Sequence, residues 1–219
     1  MVASLALLSL FVIAMIMFRT VYTRSPEHIA IAWNLLLAWI PLALALIVYD
    51  RARTGVSTPA LAAVGLLWLL FLPNAPYLVT DLKYVGRGEG VPVMYDVLLL
   101  SAAAWTGLLL GLTSLFLVHA IVRRLIGARK AWVFVLGVLA LSSFGIYLGR
   151  VQRWNSWDVF VRPESLFGDI AKGVFDPLGH PRPIAVTILF TSFLLATYLV
   201  FYSFARLGSL DAGRSGVRP

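Results

Sequence analysis

The sequence contains no cysteine. That absence excludes disulfides, thiolate metal sites and cysteine nucleophiles together, and it leaves the redox compartment open. Charge is scarce as well. Only 13% of the 219 residues are charged, where a soluble domain carries about a quarter. The three histidines, His28, His119 and His180, fall in different segments and lack metal-ligand spacing. No metal and no cofactor are therefore expected, and no motif names a nucleophile. The net charge of +8 would suit nucleic acid in a soluble protein. Here the bases sit in loops beside apolar runs, so the lipid bilayer and anionic lipid headgroups are the expected partners, and nucleic acid is not.

What the sequence does have is apolar length, with 60% hydrophobic residues. A helix needs roughly 20 apolar residues to cross the hydrocarbon core, so six spans use about 120 residues. Little chain is left for a separate soluble domain. The expected fold is all-α: a polytopic transmembrane helical bundle of about six spans, forming one domain over residues 1–205. The apolar runs are 2–18, 29–49, 60–79, 92–122, 131–149 and 184–205, with a polar tail over 206–219. The first run lacks the basic start and small-residue cleavage site of a secretory signal and reads as an uncleaved helix. Pro41, in mid-run, predicts a packing kink.

Two runs carry local signals. In the third, Thr58 and Pro59 suit a helix start. The run then meets Pro73-Asn74-Ala75-Pro76. Two prolines three apart remove two helix bonds and disfavour helical angles at Leu72 and Ala75. A break is predicted at 73–76, with Asn74 placed to satisfy freed backbone groups. The fourth run carries Gly107-xxx-Gly111, a spacing that permits close helix contact in lipid. After the fifth run, 34 residues from Arg150 to Pro183 connect to the sixth. Within them, Leu166, Phe167, Ile170, Ala171 and Val174 recur at helical spacing. They predict an amphipathic surface helix over Pro163–Phe175, between spans five and six.

Six spans put both termini on one side, and the bases divide nine to nine between the two sides. Density decides the orientation. Arg123, Arg124, Arg129 and Lys130 lie within eight residues without an acid, which is a cytoplasmic signal. The termini are read as cytoplasmic.

Alternating topology then brings three polar span ends to the outer face. These are Asn74, Tyr77, Thr80 and Asp81; Tyr95 and Asp96; and Arg150, Arg153, Trp154, Asn155, Trp157 and Asp158. Polar groups beside hydrocarbon are expensive, and they pair or serve function. Arg150 and Arg153, three apart, are expected on one helical face, where paired arginines recognise phosphate or carboxylate. Trp154 and Trp157 repeat that spacing and suit the headgroup belt. The plainer alternative is structural: Asp81, Asp96 and Asp158 pair with the two arginines and tie helix ends together. The three aspartates can also hold a hard cation or act as acid and base.

The string Phe71-Leu72-Pro73-Asn74-Ala75-Pro76-Tyr77-Leu78-Val79-Thr80-Asp81, then Tyr95-Asp96, Gly149-Arg150 and Arg153-Trp154-Asn155-Ser156-Trp157-Asp158, resembles one family. It is the group of bacterial multi-span membrane proteins called domain of unknown function 1361. The resemblance covers roughly residues 30 to 205. It implies a bacterial inner membrane and no assigned reaction. The leading functional expectation is a binding or catalytic site for an anionic membrane-associated substrate at the outer face. Transport through the broken third span and a structural role in a membrane complex are the alternatives.

Overall fold

The computed structural model describes residues 1–53, 58–87, 90–165, 168 and 181–215, with side chains left undescribed at 53, 58, 181 and 208–215. In chain order the elements are α1 (Val2–Thr23), α2 (Ile29–Arg53), α3 (Thr58–Phe71), α4 (Asn74–Tyr77) and a 3-10 helix (Leu78–Tyr84). Then come α5 (Val93–Ile126), α6 (Ala128–Val151), α7 (Asp158–Val161) and α8 (Pro181–Ser215). Among the described residues there is no strand. Six stretches of the described residues are long and apolar enough to cross a membrane: Val2–Thr23, Ile29–Ala52, Pro59–Tyr84, Val93–Ile126, Ala128–Val151 and Arg182–Leu207. Leu7, Phe11, Leu66, Val133, Leu189 and Phe204 all point outward. A soluble helix would carry charge on that face, and lipid is the solvent that tolerates these side chains. The protein is a multi-pass membrane protein.

The centre of the bundle is α5, whose span is 61% buried, against 11% for the span in α8. On one side of α5, Leu99, Leu100, Ala103 and Leu110 pack with Val12 and Ile16 of α1, Leu35, Ala38 and Leu42 of α2, and Ala75 and Leu78. On the other side, Leu108, Leu112 and Leu115 pack with Trp68 of α3, Leu72 just after it, Val135, Val138, Leu139 and Ile146 of α6, and Leu194 and Tyr198 of α8. Helix α2 runs unbroken through Pro41. Chain Arg206–Ser215 continues α8. Most of the surface helix expected over Pro163–Phe175 lies outside the described residues.

Helix α3 stops at Phe71, Leu72-Pro73 form a turn, and a single α turn leads into the 3-10 segment. The backbone groups released there find local partners. Asn74 Nδ2 donates to the Phe71 carbonyl (2.9 Å). Ala75 N–H donates to Leu72 (3.2 Å) and Tyr77 N–H to Pro73 (3.1 Å). Three glycines then receive the turn. A methyl on Gly107 would overlap the Ala75 carbonyl oxygen, one on Gly111 would lie 3.1 Å from Ala75 Cβ, and one on Gly145 would lie 2.6 Å from Pro73 Cγ. The partner of Gly107-xxx-Gly111 is thus the interrupted third span, which needs more room than a regular helix.

Candidate functional site

At the end of the bundle where α3 breaks and α6 ends, Arg150 and Asp81 form an ion pair, Nη2 to Oδ1, at 2.9 Å. Asp81 is 2% exposed and the Arg150 side chain 16%. Each has further partners, although Arg150 Nε is buried without one. Asn34 Nδ2 of α2 donates to Asp81 Oδ2 (3.2 Å). Arg150 donates to the Tyr77 hydroxyl (3.1 Å) and to the Thr80 carbonyl. The rings of Tyr77 and Tyr84 stand 5.1 and 5.2 Å from the guanidinium carbon, close enough for cation–π attraction. Four elements are tied by this one ion pair: α2 through Asn34 on Asp81, α4 through Tyr77, the 3-10 segment and α6.

Beside the pair lies a cavity of ≈ 380 Å³ between α2, the α3–α4 break, α6 and the chain that follows α6. Chain direction sorts its lining. Helices α3 and α6 both run toward the break end, and α2 starts there. The deeper wall is therefore apolar, with Leu37, Leu69, Leu141, Phe144 and Leu148. The outer end carries Asn34, Asn74, Tyr77, Trp154, Asn155 and Ser156. Asn74 Nδ2 also reaches Ser156 Oγ (3.0 Å), which pins the post-α6 chain to the break.

That chain is folded by Asp158. Its carboxylate accepts from the Asn155 backbone N–H (2.7 Å) and from the Asn155 amide (3.4 Å). It also pairs with Arg162 (3.3 Å). The backbone N–H of Asn155, then Arg162, hold the Asp158 carboxyl below the usual carboxylate range, although its burial acts the other way. Arg162 in turn covers the Trp154 ring at 5.4 Å.

Several sequence expectations are corrected. Arg150 and Arg153 do not share a helical face. Helix α6 ends at Val151, and Arg153 sits in the left-handed region (φ 62) while Trp154 N–H closes back on the Leu148 carbonyl (3.2 Å). The arginines do not gather the three aspartates either: Asp158 takes Arg162, and Asp96 takes Arg19. Arg19 Nε meets Asp96 Oδ1 at 2.8 Å, and Nη2 meets Oδ2 at 3.2 Å, with both side chains 1% exposed. Tyr95 belongs to that second cluster, donating its hydroxyl to the Met15 carbonyl (2.7 Å). Among the described residues, no group of three His, Cys, Asp or Glu side chains is placed to hold a metal ion. Trp157 and Arg153 are exposed, and Trp154 is half-buried in the cavity wall.

Three participants escape sequence reading. Asn34 is the one amide in the α2 apolar run, and that was its only signal. Arg19 looked like a loop base, but α1 continues to Thr23 and carries it inside. His28, 5% exposed with neither ring nitrogen bonded, lies close enough to feel the Arg19 and Asp96 charges. Burial, then the Arg19 charge, lowers its pKa, so the neutral imidazole is favoured.

No curated protein and no solved structure matches the chain. A family model described as a protein of unknown function (DUF1361) matches residues 33–197. That range contains every residue lining the cavity and both members of the Asp81–Arg150 pair, and it omits Arg19. The chain therefore belongs to the DUF1361 family of proteins of unknown function.

Proposed function

We propose that this protein binds a membrane-resident amphipathic anion in the cavity beside the third-span break, with its apolar part between α2 and α6. The observation that carries the reading is the graded lining, apolar at depth and amide- and hydroxyl-rich at the end. An apolar pocket with a few convergent polar groups is the usual form of a small-molecule site. The surplus of cations supports an anionic head. Arg19, Arg150 and Arg162 are matched by carboxylates. Arg153, next in chain to the cavity residues Trp154 and Asn155, stands outside those pairs, as do Lys83 and Arg87 on the Tyr84 ring. Arg150 is a brace for the site and not its anion contact, because Asp81 already neutralises it.

Phosphatidylglycerol with a diazirine in one acyl chain tests this. Photolysis in vesicles should label the cavity wall, at Leu37, Leu141 or Phe144, above the outward-facing residues Val133 and Leu189. Leu141→Trp, at an exposed lining position, should suppress that labelling. Asn155→Ala removes only a 3.4 Å side-chain bond and keeps the backbone bond to Asp158. It should weaken retention about fivefold, as the loss of one hydrogen bond worth about 1 kcal/mol implies. Labelling spread evenly over all lipid-facing helices would end the proposal.

We place the protein in a bacterial inner membrane with cytoplasmic termini, so that the cavity opens toward the outer leaflet. The absence of native cysteine makes the test clean. Single cysteines at Ser165 and Ser209 are probed in intact cells with an impermeant thiol reagent. Position 165 alone should react. Reaction at 209 alone would invert the orientation and move the cavity to the cytoplasmic face.

A further inference from the structure

The opposite end of the bundle holds a second groove, of ≈ 500 Å³, between the last turns of α5 and the end of the sixth span. Phe116, His119, Arg123, Arg124, Tyr202 and Arg206 form its lining, together with two alanines. Among the described residues, no carboxylate lines it. The residues recur four apart on both helices, His119 and Arg123 on α5, Tyr198, Tyr202 and Arg206 on α8, so each helix presents one face to the groove. Tyr202 organises the cations. Its hydroxyl accepts from Arg123 (3.0 Å), and Arg206 lies over its ring at 5.5 Å.

Arginines at a helix end have an ordinary explanation, since cations complement the negative end of the helix dipole. His119 is the observation that goes further. It is 1% exposed, and Trp132, Tyr198 and Tyr202 surround its ring at 4.9, 6.0 and 5.4 Å. Its Nδ1 meets the Tyr198 hydroxyl at 2.8 Å. The tautomer that satisfies the phenolic proton has Tyr198 donating to Nδ1, which leaves the proton on Nε2. Nε2 is buried and has no hydrogen-bond partner. A buried donor without an acceptor is costly, and native structures keep few. His119 thus sets an unmatched, buried N–H donor behind the guanidinium groups of a groove that no described carboxylate lines. Phosphate oxygens satisfy both demands.

We propose that this groove binds a phosphate group, with His119 Nε2–H as a neutral donor and Arg123 and Arg124 as the charged contacts. The site is separate from the cavity at the other end and does not depend on it. Phosphate can come from an anionic lipid headgroup or from free phosphate, and the test separates the two sources.

The full chain in dodecylmaltoside micelles is titrated with dioctanoylphosphatidylglycerol, dioctanoylglycerol and inorganic phosphate. Binding is followed by native mass spectrometry and by the His119 Nε2 resonance of 15N-histidine-labelled protein. Phosphatidylglycerol should bind well above dioctanoylglycerol and move the Nε2 resonance. Arg123→Gln with Arg124→Gln, both at exposed positions, should lower the groove affinity read from the Nε2 resonance about thirtyfold, at roughly fivefold per arginine near an anionic surface. Asn155→Ala weakens only the cavity and should leave the lipid dependence of the His119 Nε2 resonance unchanged, which separates the groove from the cavity. Displacement of the lipid by inorganic phosphate with the same resonance shift would support the site with free phosphate as its source. Absence of competition would support the lipid as the source. An Nε2 resonance that dioctanoylglycerol moves equally, an immobile Nε2 resonance, or an undiminished affinity at that resonance in the double glutamine variant would overturn the proposal.

Discussion

Arg19→Ala is expected to cost about 3–5 kcal/mol of stability, the usual result of leaving one partner of a buried ion pair uncompensated. The pair is bidentate, with contacts of 2.8 and 3.2 Å, and both side chains are 1% exposed. It joins the end of α1 to the first turn of α5, and Tyr95 adds a hydroxyl bond to the α1 backbone beside it. Removing Arg19 strands the Asp96 carboxylate, buried at 1% exposure, without its ion-pair partner. Arg19→Met with Asp96→Leu should recover most of the loss, because apolar replacement of a whole buried pair is often neutral or stabilising. Unfolding in a titration with sodium dodecyl sulfate measures both. A single variant within about 1 kcal/mol of the parent, the range of an exposed pair, would show that the pair is solvated.

Gly107→Ala is the second large effect. Its methyl would collide with the Ala75 carbonyl oxygen and stand 2.7 Å from Leu78 Cδ1. A backbone oxygen cannot swing aside like a side-chain tip, so α5 and the interrupted span must separate. Overpacking costs about 1–3 kcal/mol and occasionally more, and a shared interface at the centre of the bundle favours the upper end. Gly137→Ala is the control. Nothing lies within 4 Å of its added methyl, and alanine in mid-helix gains roughly 0.5–1 kcal/mol over glycine. The two substitutions should therefore shift the unfolding midpoint in opposite directions. If Gly107→Ala proves as stable as Gly137→Ala, the close approach is not present.

The six apolar helices were legible because span length is a one-dimensional property: a run of apolar residues long enough to cross can be counted. The pairings were not. Topology puts Asp81, Asp96, Arg150 and Arg153 at one membrane depth, yet depth does not choose neighbours around the bundle. Asp96 faced Arg19 because α1 runs five residues beyond Phe18, where the apolar run ends and polar residues begin. The Arg150–Arg153 spacing implied one face only while the helix lasted, and it stops two residues too soon. Asn34 carries no legible signal, because one amide in an apolar run has no spacing to read. The glycine pair in α5 was legible as a contact, but its partner was a proline-broken turn, and no helical periodicity advertises such a partner.

The 3-10 segment has a consequence of phase. With three residues per turn, side chains at i and i+3 eclipse one another. Leu78, Asp81 and Tyr84 therefore stand in a single file along one edge, where an α-helix would fan them apart by about 60° at each step. The order along that file is apolar anchor, carboxylate, aromatic ring, and Arg150 meets the last two together. The tight winding thus works as a gear with three teeth per revolution. One residue inserted before Asp81 would advance it by about 120° and turn the carboxylate away from its arginine, although every apolar residue of the span remained in place.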